Sequence, residues 1–374
     1  MHNGHKYLIE KAKQITGADV AICLMSGNFT QAGNIALKDK FTRAKIAIEN
    51  GFDAVIELPT IFATSSAEFF ASGAINILNG LGCIDYLCFG SETGNISTIT
   101  DIAKKIIKNN DNIWDNITES MKEGISFAKA REYAISKYLS KDEIAISCLP
   151  NNILAIEYVK SLLKQKSTIV PIAIKREDNN ECITSATIIR EMIENRNDIS
   201  KYVLNYTTIL DNPQLNNNMY NLIKYAILSK EKDQIKNING VTEGLENKLY
   251  DEINNSNNYN EFIQNVKSKR YQLSKIKRIL INIMLEISKE DFLNLNTDKN
   301  CYAHIININS SLKNELLSKL NKSSNIPVIT SLNNNIINNL NDTIRKSLLL
   351  DVKASNIYSI LSNDKINRDF TNKL

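Results

Sequence analysis

The sequence predicts an α/β protein, with a doubly wound parallel sheet in the front half and a mainly helical region behind it. Three observations carry that prediction. Over residues 1–200, short apolar runs of strand length alternate with amphipathic stretches, and each run closes on a Gly or polar loop. Over residues 201–374 the strand signals fade and helical spacing dominates. Only 5 Pro and 13 Gly interrupt the 374 residues, and a scarcity of both chain breakers favours long helices. Two domains are therefore predicted, 1–200 and 201–374.

The elements follow in order. Residues 6–13 read as a helix, and the apolar run 20–25 as a buried strand ending in the Ser26-Gly27 loop. Residues 40–50 form an amphipathic helix with Gly51 as its stop. Residues 54–58, before Pro59, read as a second strand, 67–79 as a helix, and 85–89 as a third strand before Gly90-Ser91-Glu92. Helices are predicted at 97–109, 112–123, 126–139 and 152–164, then a strand at 168–174 and a short closing helix at 187–195. Behind these lie helical patterns at 219–228, 245–254, 259–267 and 273–287. A late strand-rich piece covers 303–308 and 326–330. In a doubly wound fold the ligand site lies at the carboxyl ends of the strands.

Composition narrows the class. With 43% hydrophobic and 23% charged residues the chain has the balance of a globular protein. No apolar run is long enough to span a membrane, so no membrane association is expected, and the first residues are too polar for a secretion signal. The six cysteines (Cys23, Cys83, Cys88, Cys148, Cys182 and Cys301) contain no CxxC pair. Sitting mostly in apolar runs, they suggest buried free thiols in a reducing cytoplasm. The abundant Asn reads as compositional drift.

Charge is uneven. Residues 1–199 hold 22 Lys and Arg against 24 Asp and Glu, whereas residues 200–374 hold 23 against 17. Within 262–285 lie Lys267, Lys269, Arg270, Lys275, Lys277 and Arg278 with no acid, and Tyr271 among them. That is the footprint of nucleic-acid contact, with a solvated basic helix as the plain alternative.

His2-Asn3-Gly4-His5 carries most of the chemistry. At the start of a helix, orphan N–H groups and the macrodipole favour an anion. Gly4 clears space for a phosphate, and two imidazoles can hold its oxygens as charge builds during in-line attack. Metal binding is the weaker alternative, because His304 is the chain's one other histidine and no nearby carboxylate cluster completes a site. Further loops fall at strand ends. Gly90 would let a base or ribose approach the backbone. Asn151 and Asn152 open a helix and offer amides, and Lys175-Arg176 supplies cations. Thr184-Ser185-Ala186-Thr187 caps a helix that places Arg190 near its start, suiting a triphosphate.

His2-Asn3-Gly4-His5 and Thr184-Ser185-Ala186-Thr187-Ile188-Ile189-Arg190 together resemble the HxGH and (S/T)SxxIR motifs of the nucleotidyltransferase superfamily. Met25-Ser26-Gly27-Asn28-Phe29, Val55-Ile56-Glu57-Leu58-Pro59, Phe89-Gly90-Ser91-Glu92 and Pro150-Asn151-Asn152-Ile153-Leu154 resemble, more narrowly, the tRNA(Met) cytidine acetate ligases. So do Lys269-Arg270-Tyr271 and Asp351-Val352-Lys353-Ala354-Ser355. The likeness runs in order along nearly the whole chain.

The resemblance implies a Rossmann-like, HxGH-type catalytic domain at 1–200 that binds ATP, and a basic tRNA-binding domain at 201–374. It implies activation of acetate by ATP as acetyl-adenylate, then acetyl transfer to N4 of the wobble cytidine, position 34, of elongator tRNA(Met), in the cytoplasm. His2 and His5 would be catalytic. Met1, His2, Asn3, Gly4, His5, Lys6, Gly90, Asn151, Asn152, Arg176 and Arg190 would hold ATP, and Lys269, Arg270 and Lys277 would contact RNA. Mg2+ stays open as a companion of ATP. Two other readings share these residues: a small-molecule adenylyltransferase and an inactive RNA-binding relative. Two departures stand out. Met1 occupies the place of a Phe that in the family follows the first strand, so that strand is expected to be missing, and Ala32 replaces a customary Arg.

Overall fold

A computed structural model describes residues 1–177, 184–204, 215–269, 271–297, 300–372 and 374. Its strands are β1 (Ile22–Ser26), β2 (Ala54–Leu58), β3 (Tyr86–Ser91), β4 (Val170–Lys175), β5 (Ala303–Ile308) and β6 (Val328–Ile329). The chain divides into two compact units, Met1–Ala21 with Leu81–Leu204, and Ile22–Gly80 with Asn205–Leu374.

In the first unit β3 and β4 pair in parallel, Tyr86 opposite Val170 through Ser91 opposite Lys175. The helix Asn3–Thr16 packs on both strands, and the helix Pro150–Lys164 packs on β3 and on the helix Ile96–Lys108. The last helix is strongly amphipathic: Ile99, Ile102, Ala103 and Ile106 recur at helical spacing and are buried. With Phe89, Ile113, Ile117, Ala134, Ile156 and Val159 they form one apolar cluster. Gly17 ends the first helix in the left-handed region, φ +64°, and its N–H closes the last turn on the Lys13 carbonyl.

In the second unit the strand order is β1-β2-β5-β6. β1 and β2 run parallel, β2 and β5 antiparallel, and β5 and β6 parallel. Every residue of β2 is buried. A strand so enclosed must satisfy its N–H and C=O groups on both edges, and β5 supplies the second. The late strands expected at 303–308 and 326–330 thus belong with β1 and β2, and this sheet is mixed parallel and antiparallel. The compact units therefore follow a different cut from 1–200 and 201–374, since residues 22–80 join the C-terminal residues.

The α/β class holds and most expected strands and helices are present, but the first helix runs longer than 6–13, as Asn3–Thr16, and the helix expected at 219–228 begins at Leu215; the helices Lys313–Ser323 and Asp342–Ser362 were not expected. Much of the Asn content has a local use: Asn95, Asn258, Asn333 and Asn341 each cap a helix by accepting an N–H three residues on. Cys301 is buried, but Cys148 is exposed, and Cys182 lies outside the described residues. Among the described residues no helix is long and apolar enough to cross a membrane.

Candidate active site: a histidine pair at a helix start

His2 is the N-cap of the first helix, in an extended conformation. Its Nδ1 accepts the Gly4 N–H at 3.1 Å. In return His5 Nδ1 accepts the His2 N–H at 3.3 Å. The two imidazoles thus play the parts of Ser and Glu in a capping box, and their rings lie 3.9 Å apart, tilted by 39°. With each Nδ1 accepting, each neutral ring carries its proton on Nε2, and that N–H is the ring's remaining donor. The start of the helix is also fixed from behind. Asn3 N–H donates to the Tyr202 carbonyl at 3.0 Å, the Leu204 N–H to the Met1 carbonyl, and the Asn3 side chain to the Lys201 carbonyl.

Desolvation and neighbouring positive charge, the guanidinium groups of Arg176 and Arg190 included, hold the His2 imidazole down to about 4. Desolvation, His2 itself and Arg176 lower His5 well below its ordinary value, although its outer side is open to solvent. Both rings are therefore neutral at pH 7. Burial also lowers Arg190, but a guanidinium keeps its charge at any ordinary pH. The site gathers like charges and neutral donors, which is what a polyanion requires of its host.

The remaining predicted residues fall unevenly. Gly90 and Ser91 end β3, and a Cβ at Gly90 would meet the Arg176 side chain at 3.5 Å, an ordinary contact. The fold itself therefore does not demand glycine there. Arg176, just past β4, donates Nη1–H to the Asn151 Oδ1 at 3.3 Å, so these two are brought together. Asn152 is fully buried and spent: its Oδ1 accepts from Ser91 Oγ and the Glu92 N–H, and its Nδ2 donates to the Ile146 carbonyl. Glu92 accepts the backbone N–H groups of both Asn151 and Asn152. Lys6 is exposed. Ser185 caps the helix Ala186–Glu194 by accepting the Ile188 N–H, which sets Arg190 in its second turn.

The RNA candidates lie in the other compact unit. Lys269 is exposed, Arg270 is outside the described residues, and Lys277 donates to the Asn34 side chain at 2.9 Å. Lys277 and Arg278, which donates to the Gln31 carbonyl, thus brace the loop after β1. Two residues near the histidine pair were missed by the sequence reading. Glu92 sits inside a quoted motif, but its partners lie 59 and 60 residues away. Tyr7, two residues past His5, hydrogen-bonds Glu177 beside Arg176; burial first, then that carboxylate, raises its hydroxyl.

A second polar constellation lies in the sheet of the second unit. Lys40 is completely buried and its Nζ contacts Glu57 at 2.7 Å and Asp369 at 2.5 Å. His304 Nδ1 lies 3.0 Å from Glu57. Asp351 accepts the Thr60 N–H at 2.7 Å and the Tyr302 hydroxyl. Glu57, His304 and Asp369 stand close enough to share a metal ion, but the Lys40 ammonium already bonds both carboxylates. Burial would lower Lys40, yet Glu57 and Asp369 raise it; burial would raise Glu57, yet Lys40 and His304 lower it.

A family model described as HIGH Nucleotidyl Transferase matches residues 1–373. A tRNA(Met) cytidine acetate ligase of Clostridium novyi is 38% identical over 97% of this chain and 93% of its own length. One from Clostridium perfringens is 40% identical over 99% and 95%. A crystal structure of Thermotoga maritima TmcAL bound with alpha-thio ATP superposes with a TM-score of 0.90, at 31% identity, covering 99% of this chain and 95% of that one. The fold and the histidine pair thus define a HIGH-type nucleotidyl transferase. Within that class the chain belongs to the tRNA(Met) cytidine acetate ligase family, and it is an enzyme of the ligase class.

Proposed function

We propose that the chain activates acetate with ATP and transfers the acetyl group to N4 of the wobble cytidine, position 34, of elongator tRNA(Met), leaving N4-acetylcytidine. The observation that carries this reading is the histidine pair, two neutral imidazoles at a helix start with Arg176 and Arg190 acting on it. In the first step an acetate oxygen attacks the α-phosphorus, acetyl-adenylate forms and pyrophosphate leaves. The negative charge that builds on the phosphate oxygens is met by the Nε2–H donors and the two guanidiniums, which need no reorganisation during the step. In the second step the cytosine amine attacks the acetyl carbonyl, AMP leaves and the amine loses a proton. The base must be unpaired for this, as an anticodon base is.

The Thermotoga maritima protein holds an ATP analogue, which supports ATP as the nucleotide here. Met1, Asn3, Gly4, Lys6, Gly90, Asn151 and Asn152 would complete the cradle, Asn152 by shaping its wall and the others by contact. The imidazoles and guanidiniums do not suit a protein-held Mg2+, which takes oxygen ligands, so Mg2+ would come with the ATP phosphates. In the 201–374 part, exposed Lys269 is the best-placed tRNA contact, with Arg270 beside it in sequence; Lys277 would act by holding the loop it bonds. A substrate tRNA would place the enzyme in the cytoplasm.

Incubation of the protein with ATP, acetate and tRNA tests the reading. The expected products are AMP, pyrophosphate and acetylated tRNA, with acetyl-CoA unable to replace ATP and acetate. Activity with acetyl-CoA and none with ATP plus acetate would overturn it.

A further inference from the structure

The helix Pro150–Lys164 opens with a shortage of local caps. Its N-cap residue, Leu149, has no side-chain acceptor, and Pro150 at the first position has no N–H to satisfy. That leaves the N–H groups of Asn151 and Asn152 as the orphan donors of the first turn. Glu92, from the loop after β3, takes both: Oε1 accepts the Asn151 N–H at 2.9 Å and Oε2 the Asn152 N–H at 2.9 Å. Oε1 also accepts the Asn151 side-chain Nδ2 at 2.8 Å.

The third bond has a consequence for the site. A carboxylate only accepts, so the Asn151 amide must turn its Nδ2 towards Glu92 and its Oδ1 away. That Oδ1 is the acceptor on which Arg176 rests its Nη1–H. Arg176 is also fixed at its backbone, where its N–H donates to the Ser91 carbonyl at 2.9 Å. Ser91 in turn donates to Asn152 Oδ1 at 2.7 Å, and the Glu92 N–H donates to the same oxygen. The end of β3, the helix start and the end of β4 are thereby closed into one ring of hydrogen bonds. Arg176 leaves this ring with its charge acting on His2 and His5.

We infer that Glu92 is a positioning residue: by fixing the Asn151 amide it sets the Arg176 guanidinium in the nucleotide cradle. The inference rests on the ATP reading above. Glu92 also neutralises the start of the Pro150–Lys164 helix, which leaves that start no pull on a triphosphate. Replacing Glu92 by Gln would present an N–H group to at least one of three donors. With one oxygen left for three donors and no charge, the hold on the Asn151 amide, and through it on Arg176, is weakened.

ATP affinity, measured by calorimetry on the whole chain, tests this through a double-mutant cycle. Glu92→Gln is expected to weaken ATP binding by about ten- to a hundredfold, the scale of one charge-assisted contact. Arg176→Ala should weaken it comparably, and the double variant little further, because the two losses share one cause. A role confined to capping would lower the melting temperature while leaving the affinities additive, and additive losses overturn the inference. Should Glu92→Gln fail to fold, Glu92→Asp keeps the charge at the helix start but is one methylene too short to hold the side-chain amide as well. The same direction of loss is expected there, and unaltered affinity overturns the inference. A wild-type chain that binds no ATP overturns the ATP reading and this inference together, whereas normal wild-type binding with an unaffected Glu92 variant overturns this one alone.

Discussion

The two polar constellations of this protein are built on opposite electrostatic principles. Around His2 and His5, positive and proton-hungry groups gather and depress one another's basicity. Around Lys40 and Glu57, opposite charges hold each other ionised against a burial that would neutralise both. A cluster of like groups is unfavourable to the empty protein and is rewarded only when an anion arrives. The Lys40–Glu57 pair, with hydrogen bonds on both partners, needs no ligand to hold its charges. The first is the signature of a binding site, the second that of a joint between β2, β5 and the chain's last helix.

The largest effect expected from this contrast is on stability. Lys40→Met strands Glu57 and Asp369 as buried carboxylates without their cation. It should cost about 3–5 kcal/mol in urea unfolding, the range for breaking one side of a buried pair. ATP binding by the fraction that remains folded should persist. A Lys40→Met protein that is stable but binds no ATP would exchange the roles of the two constellations.

The histidines should behave the other way. His2→Ala and His5→Ala are each expected to reduce turnover by about two to three orders of magnitude, the scale for losing one transition-state donor. Because His2 is also a helix cap, its loss should cost about 1 kcal/mol of stability and no more. Thermal unfolding beside single-turnover rates separates the two contributions.

A smaller effect follows from protonation. The unfolded chain carries His2 near its ordinary value of 6.5, while the native ring titrates at about 4. Between those values the unfolded state binds more protons, so stability must fall as pH drops through the window, by up to about 1.4 kcal/mol per unit. His2→Asn keeps a good cap and removes the titration, and its stability curve should be flatter over pH 4 to 6.5. Identical slopes for the two proteins would show that the neutral ring is not imposed by the fold.

Smallest of all is the expected change at Lys269. An exposed cation on a phosphate contributes one released counterion, so Lys269→Ala should flatten the salt dependence of tRNA binding by about one unit. Acetyl-adenylate formation without tRNA should be unaffected. An unchanged salt slope would return Lys269 to an ordinary solvated side chain.

How much of this could be read in the sequence divides along the same line. The histidine pair is local: four consecutive residues at a helix start carry both the cap and the donors, and Arg190 sits in a second local motif. The α/β class was equally legible, because apolar runs such as Ala54–Leu58 announce their own burial. What the sequence hid is pairing over long separations. Nothing at residues 54–58 says that their second edge belongs to Ala303–Ile308, and that one antiparallel ladder moves residues 22–80 into the unit of the C-terminal residues. Lys40 read as the first residue of an amphipathic helix, with no hint of a partner 329 positions away. Asn152 shows the converse: a residue in the right motif, yet consumed by its neighbours' hydrogen bonds.

The most direct test of the account is acetate-dependent exchange of labelled pyrophosphate into ATP, run without tRNA on the wild-type chain and on His5→Ala. The wild-type protein should exchange label only when acetate is present, and His5→Ala, folded by far-UV dichroism, should lose that exchange by about two orders of magnitude or more. Equal exchange rates in the two proteins would contradict the claim that the histidine pair is where ATP is activated.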